Sequence, residues 1–195
     1  MKIKKIVEIL KKDGVGVLLT DTIYGLVGSA FSKKAVSKIY HLKKRDLKKP
    51  MIILISSLTD LDLFKIKLDK ESKRRLNQFW PGKISIILPC LNKKFNYLHR
   101  GTNSLAFRLP AKKKLLKLLR LTGPLVAPSA NIENYSPAST IKEAKKYFGD
   151  KIDFYLDEGK AKTKLPSSLI EFKKGKVLIK RKGLSLKKDK TPKRN

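Results

Sequence analysis

The feature that most restricts the folds open to this chain is a series of short apolar runs. Each is stopped by a proline or a polar turn, and amphipathic segments separate them. "GVGVLLTDT" is strand-like and enters a polar turn; Met51 to Ile55 follow Pro50 as a buried strand. "KISIILP" and "SLAFRLP" each close on a proline, and "PLVAPSAN" is a shorter run ending in polar residues. Between them, "SKKAVSKIYHLKK" places Ser32 to cap a helix with Ala35, Val36, Ile39, Tyr40 and Leu42 at helical spacing. "MKIKKIVEILKKDG" reads as an opening helix, and "DKESKRRLNQFW" as one stopped by Pro81 and Gly82. "AKKKLLKLLRLTG" is an amphipathic helix with Gly123 as its stop. Thr140 and Glu143 form a capping box for "TIKEAKKYFG". "KIDFYLD" and the hairpin "SSLIEFKKGKVLIKR" end the pattern. Crossovers through helices together with one hairpin imply an α/β (mixed α+β) chain, a mixed sheet covered by helices.

With 195 residues and an apolar share of 41%, such a sheet has enough material for one sizeable core. The expected domain covers residues 1–185, and residues 186–195, rich in lysine, read as a basic flexible tail. No run reaches the roughly 18 apolar residues of a membrane span. The N-terminus lacks the apolar core of a signal peptide, so a soluble cytoplasmic protein is expected. Cys90 is the lone cysteine, which excludes an intramolecular disulfide and a cysteine-based metal cluster. No GxxxxGK[ST], GxGxxG or HExxH motif occurs. The two histidines, His41 and His99 (the latter in a loop), read as surface or packing residues.

The net charge is +31, and the last ten residues hold five cations and one aspartate, so about +27 remains without them. Of the 47 basic residues eight are arginine. A polyanion such as RNA would be attracted by this field. The low share of arginine instead favours a general lysine bias, because forked phosphate contacts use arginine.

Polar and charged groups gather at strand ends. "LKKRDLKKPMIILIS" crowds Lys43, Lys44, Arg45, Lys48 and Lys49 against a buried strand, so the cluster faces water or awaits an anion. Thr20, Asp21 and Thr22 interrupt an apolar run. Arg108 lies inside an apolar strand, and buried arginine needs a carboxylate or an anionic ligand. Ser129 and Asn131 follow the short strand of "VAPSAN". Together these describe a site for a ligand with several negative charges.

These motifs resemble the YrdC-type threonylcarbamoyl-AMP synthase family from about Val15 to Gly183. "LTDTIYGL" matches its P-T-[DE]-T-x-Y-G-L, with Leu19 for the proline. Lys43, Arg45, Lys49 and Pro50 match its K-x-R segment, and "FWPGKISIILP" its F-W-P-G-P-x-T, with Lys83 and Ser85 as departures. "SLAFRLP" matches the arginine strand, "VAPSAN" the S-x-N signature, "PSSLIEF" an S-T-[VI]-[VI]-D segment and "IKRKG" an arginine before Pro-Gly. The joint presence of K-x-R and S-x-N resembles the synthase branch rather than the YciO-like branch.

The resemblance implies a YrdC/RibB-like fold, a twisted mixed sheet flanked by helices around a basic cavity. It implies a nucleotidyltransferase that converts L-threonine, bicarbonate and ATP to threonylcarbamoyl-AMP and pyrophosphate, the first step towards threonylcarbamoyladenosine in tRNA. Lys43 and Arg45 would be catalytic. Arg45, Lys49, Ser104, Asn131, Ser139 and Arg181 would bind ATP. Thr22, Arg108, Ser129 and Ser167 would hold threonine. Mg²⁺ would arrive with ATP, Asp21 touching it through water, and a downstream threonylcarbamoyl transferase would take the product. Departures are Glu133 and Asn134 where Ser-Gly is common, Ser168, Glu171, and Leu54 where some relatives have histidine. The C-terminal domain of larger relatives is missing, so the tail or a partner would close the site. The other reading that stays open is a binding module of the same fold that holds RNA or tRNA and makes no adenylate.

Overall fold

In the computed structural model, residues 3–173 and 176–184 are described; the expected tail, 186–195, lies outside them. The elements run α1 (Ile3–Lys11), β1 (Val15–Leu19), β2 (Tyr24–Ser29), α2 (Lys33–Lys43), β3 (Ile52–Leu54), α3 (Lys70–Asn77), β4 (Ile84–Pro89), α4 (Asn96–His99), β5 (Ser104–Arg108), α5 (Lys113–Thr122), β6 (Leu125–Val126), α6 (Ile141–Phe148), β7 (Phe154–Tyr155), β8 (Ser168–Lys173) and β9 (Lys176–Arg181). The strands form one mixed sheet in the order β7-β1-β2-β6-β3-β5-β4-β8-β9. Pairs β1–β7, β3–β5 and β4–β8 are parallel. Pairs β1–β2, β2–β6, β3–β6, β4–β5 and β8–β9 are antiparallel.

Alternation along the strands divides the core between the two faces of the sheet. Val15, Val17, Ile53 and Phe107 join a large cluster with Ala35, Val36, Ile39, Tyr40, Leu76 and Phe148 from α2, α3 and α6. Leu18, Val27, Leu54 and Leu125 join a second cluster with Ile6 and Leu10 of α1 and Leu115, Leu118 and Leu119 of α5. Helices therefore cover both faces. α2 presses close on Gly28 of β2, where a Cβ would stand 3.1 Å from that of Ala35.

Most helix ends follow the sequence, but α3 stops at Asn77, capped by Gln78, short of Pro81 and Gly82. Ser32 caps α2 by accepting from the Ala35 N–H, and Gly123 ends α5 with φ of 77°. At α6 the Thr140 hydroxyl accepts from the Glu143 N–H as expected, but the Glu143 carboxylate accepts from Ser139 rather than closing the box on Thr140. His99 is not in a loop: it ends α4 and is buried, while His41 is exposed.

Candidate active site

The cation-rich segment begins where α2 ends. Lys44 adopts a left-handed conformation (φ 49°), and the N–H groups of Lys44 and Arg45 return to the carbonyls of His41 and Tyr40. This caps the helix and turns the chain towards β3. Arg45 then folds over its own loop, its Nε donating to the Lys49 carbonyl (3.1 Å) and Nη2 to that of Pro50 (3.0 Å). The Tyr40 hydroxyl donates to the same Lys49 carbonyl.

Lys43 behaves differently. Its side chain is buried, and Nζ donates to the carbonyls of Ser129 (2.6 Å) and Asn131 (2.7 Å) and to Asn131 Oδ1 (3.2 Å). Burial first, then the neighbouring Arg45, push its pKa down to about 7. Asn131 spends its amide Nδ2 on the carbonyls of Ile132 and Tyr135. The segment after β6 is thus shaped around the Lys43 cation. Asn134 occupies a position with φ of 69°. Glycine favours that region and asparagine tolerates it, so the departure from Ser-Gly leaves the backbone turn possible.

Arg108, at the end of β5, has a protein carboxylate beside it. Its Nη2 lies 3.1 Å from Asp21 Oδ1, and both side chains are 4% exposed. The contact is an ion pair, and among the described residues neither Asp21 oxygen nor Arg108 Nε has a hydrogen-bond partner. Burial pulls the Arg108 pKa down and Asp21 opposes this. The Thr20 hydroxyl donates to the Ile23 carbonyl and lies 3.1 Å from the Thr22 hydroxyl, holding the turn that carries Asp21.

The far wall comes from β8 and β9. Arg181 donates from Nε and Nη2 to the Ser167 carbonyl, and the hydroxyls of Ser167 and Ser85 are 2.9 Å apart. Gly183 is needed where the chain leaves β9, because a Cβ there would stand 2.3 Å from the Pro166 carbonyl oxygen.

These walls enclose a cavity of about 160 Å³ over β3, β5, β8 and β9, bounded by the turn before β2 and the segment after β6. Thr22, Arg45, Arg108, Ser129, Ser167 and Arg181 all line it. Lys43, Lys49, Ser104, Asn131 and Ser139 do not. Ser104 shares its face of β5 with Ala106 and Arg108. Ser139 is buried, its carbonyl accepting from Ala161. Lys49 is exposed and pairs with Glu133 at 2.9 Å. Of the three lining arginines, Arg181 has its pKa lowered by burial and then by Arg108 and Arg45. Sequence reading missed two carboxylate partners, Asp21 for Arg108 and Glu133 for Lys49. Among so few acids, their position beside the motifs was the available signal.

Among the described residues no group of three or more His, Cys, Asp or Glu side chains could hold a metal. The lining supplies cations and hydroxyls, a set that does not fit a protein-held Mg²⁺. No helix among the described residues is long and apolar enough to cross a membrane.

Sheet and cavity define an α/β protein whose strand ends form a cationic, hydroxyl-lined pocket. The chain belongs to the Sua5/YciO/YrdC family, described as "Telomere recombination", which it matches over residues 8–183. It is similar to a threonylcarbamoyl-AMP synthase of Buchnera aphidicola, with 32% identity over 87% of this chain and 98% of that protein. It is also similar to that of Pyrococcus abyssi, with 33% identity over 78% of this chain; there it spans only 45% of the relative's length. The structure of P. abyssi Sua5 complexed with L-threonine superposes with a TM-score of 0.85 at 27% identity, over 93% of this chain and 54% of that one. Escherichia coli YciO shares the fold, with a TM-score of 0.81 at 22% identity, over 93% and 89%.

Proposed function

We propose that this chain is a threonylcarbamoyl-AMP synthase, a nucleotidyltransferase acting on L-threonine, bicarbonate-derived CO₂ and ATP. The observation that carries the reading is the convergence of Arg45, Arg108 and Arg181 on one hydroxyl-lined cavity. Three mutually repelling guanidiniums with Asp21 as the buried counter-charge leave a surplus that an anionic ligand neutralises.

The threonine amine attacks CO₂, forming an N–C bond and releasing a proton to solvent. A carbamate oxygen then attacks the α-phosphorus of ATP, and the bond to the bridging oxygen breaks to release pyrophosphate. Both reactants are anions, and their approach costs about 4 kcal/mol per unit-charge pair at 4 Å with an effective dielectric near 20. Fixed cations offset this cost, and positioning supplies the rest without an enzyme nucleophile. Arg108 would fork the threonine carboxylate, with Thr22, Ser129 and Ser167 around the amino acid. Arg45, Lys49 and Arg181 would face the phosphates, with Ser104 and Ser139 towards the remainder of ATP. Lys43 and Asn131 would act by shaping the segment that carries Ser129. Mg²⁺ would enter only as an ion carried by the phosphates of ATP.

The test is pyrophosphate release from ATP. It should require both threonine and bicarbonate; release that ignores either would overturn the reading. The reading also places a threonylcarbamoyl transferase downstream.

A further inference from the structure

Two loops meet next to Arg45, one of the cavity-lining residues, and one side chain joins them. Glu133 accepts from the backbone N–H of Asp46 at 2.7 Å and from Lys49 Nζ at 2.9 Å, while its own N–H donates to the Lys43 carbonyl at 2.8 Å. A free main-chain N–H beside a lysine ammonium is a donor pair suited to a phosphate oxygen. Here a carboxylate fills it. The loop is held in shape around that pair: the Asp46 carboxylate accepts from the Lys48 N–H (2.9 Å), the Asp46 carbonyl accepts from the Lys49 N–H (3.1 Å), and Arg45 and Tyr40 hold the Lys49 carbonyl.

We propose that Glu133 is an internal carboxylate that occupies the donor pair formed by the Asp46 N–H and Lys49 Nζ until a polyphosphate displaces it. The inference rests on the synthase reading for its natural ligand, the triphosphate of ATP, but its chemistry requires only a phosphate group. Displacement is inexpensive because the pair lies at the surface, with the Lys49 side chain 55% and the partly buried Glu133 side chain 17% accessible, and surface pairs are weak. The Glu133 carboxyl nonetheless stays ionised, its pKa lowered first by the hydrogen bond from Lys49 and then by that from Asp46. Its charge therefore competes with an incoming phosphate throughout the neutral range.

The experiment is calorimetric titration with inorganic pyrophosphate at one moderate salt concentration. Glu133→Gln keeps an acceptor for Asp46 but loses the charge, and should bind pyrophosphate about threefold to fivefold more tightly than wild type. Lys49→Ala added to Glu133→Gln should erase that gain. Glu71→Gln makes the same change of net charge on α3, where Glu71 pairs with Arg75, and should leave binding unaltered. Unchanged or weaker binding by Glu133→Gln, a gain that survives loss of Lys49, or an equal gain in Glu71→Gln would overturn the proposal. If wild type makes no threonylcarbamoyl-AMP while the Lys49-dependent gain persists, the synthase reading falls and the proposal stands.

Discussion

The Lys43 ammonium stands 2.6 Å from the carbonyl oxygen of Ser129, so the last residue of α2 anchors the segment that follows β6, 86 positions along the chain. Burial and Arg45 push its pKa down to about 7, against about 10.4 for a free lysine. Between those values the unfolded chain binds more protons than the folded one, so the stability contributed at this position rises with pH. Urea unfolding of wild type and Lys43→Met, compared from about pH 6 to about pH 9.5, should show wild type gaining on the variant as pH rises. A flat difference would mean an ordinary lysine.

Arg45 and Lys48 are three positions apart, yet only Arg45 lines the cavity. Arg45→Ala should lower synthesis by at least about tenfold, since a charge-assisted contact contributes about 1.5–3 kcal/mol. Lys48→Ala, on an exposed side chain, should stay within about twofold of wild type. Steady-state pyrophosphate release measures both, and equal effects would reduce the cluster to surface charge.

Arg108→Ala should raise the threonine requirement much more than the ATP requirement. Equal loss for both substrates would assign Arg108 to structure alone. Asp21→Asn tests the other half of the pair. Removing one member of a buried ion pair leaves an uncompensated charge, at a cost of about 3–5 kcal/mol. Denaturant titration should show a loss of that order, and a near-neutral substitution would show that Arg108 does not depend on Asp21.

With a net charge of +31, the protein should bind RNA at low salt. Six to ten phosphate contacts lose roughly 10³–10⁵ in affinity between 50 and 200 mM salt, so release near physiological salt is expected. Transfer RNA should bind no better than unrelated RNA, and synthesis should survive deletion of Lys187 to Asn195. Tight, tRNA-selective binding at physiological salt would instead favour the RNA-binding module.

The sequence by itself determined the mixed sheet, most helices and the residue types at the cavity, because these depend on local signals. Apolar period, a capping Ser32, the stop at Gly123 and prolines at strand ends are all read within a few residues. Strand β2 was harder to read, since Tyr24–Ser29 contains two glycines and gains its burial from β1, β6 and α2. Only tertiary structure decided which cations face the ligand. Lys43, Arg45 and Lys49 look alike in sequence, yet one is spent on backbone carbonyls, one lines the cavity and one pairs with Glu133. The partners that separate them lie more than 80 positions away. The field at a charge depends on distance through space and on burial, neither of which chain spacing records.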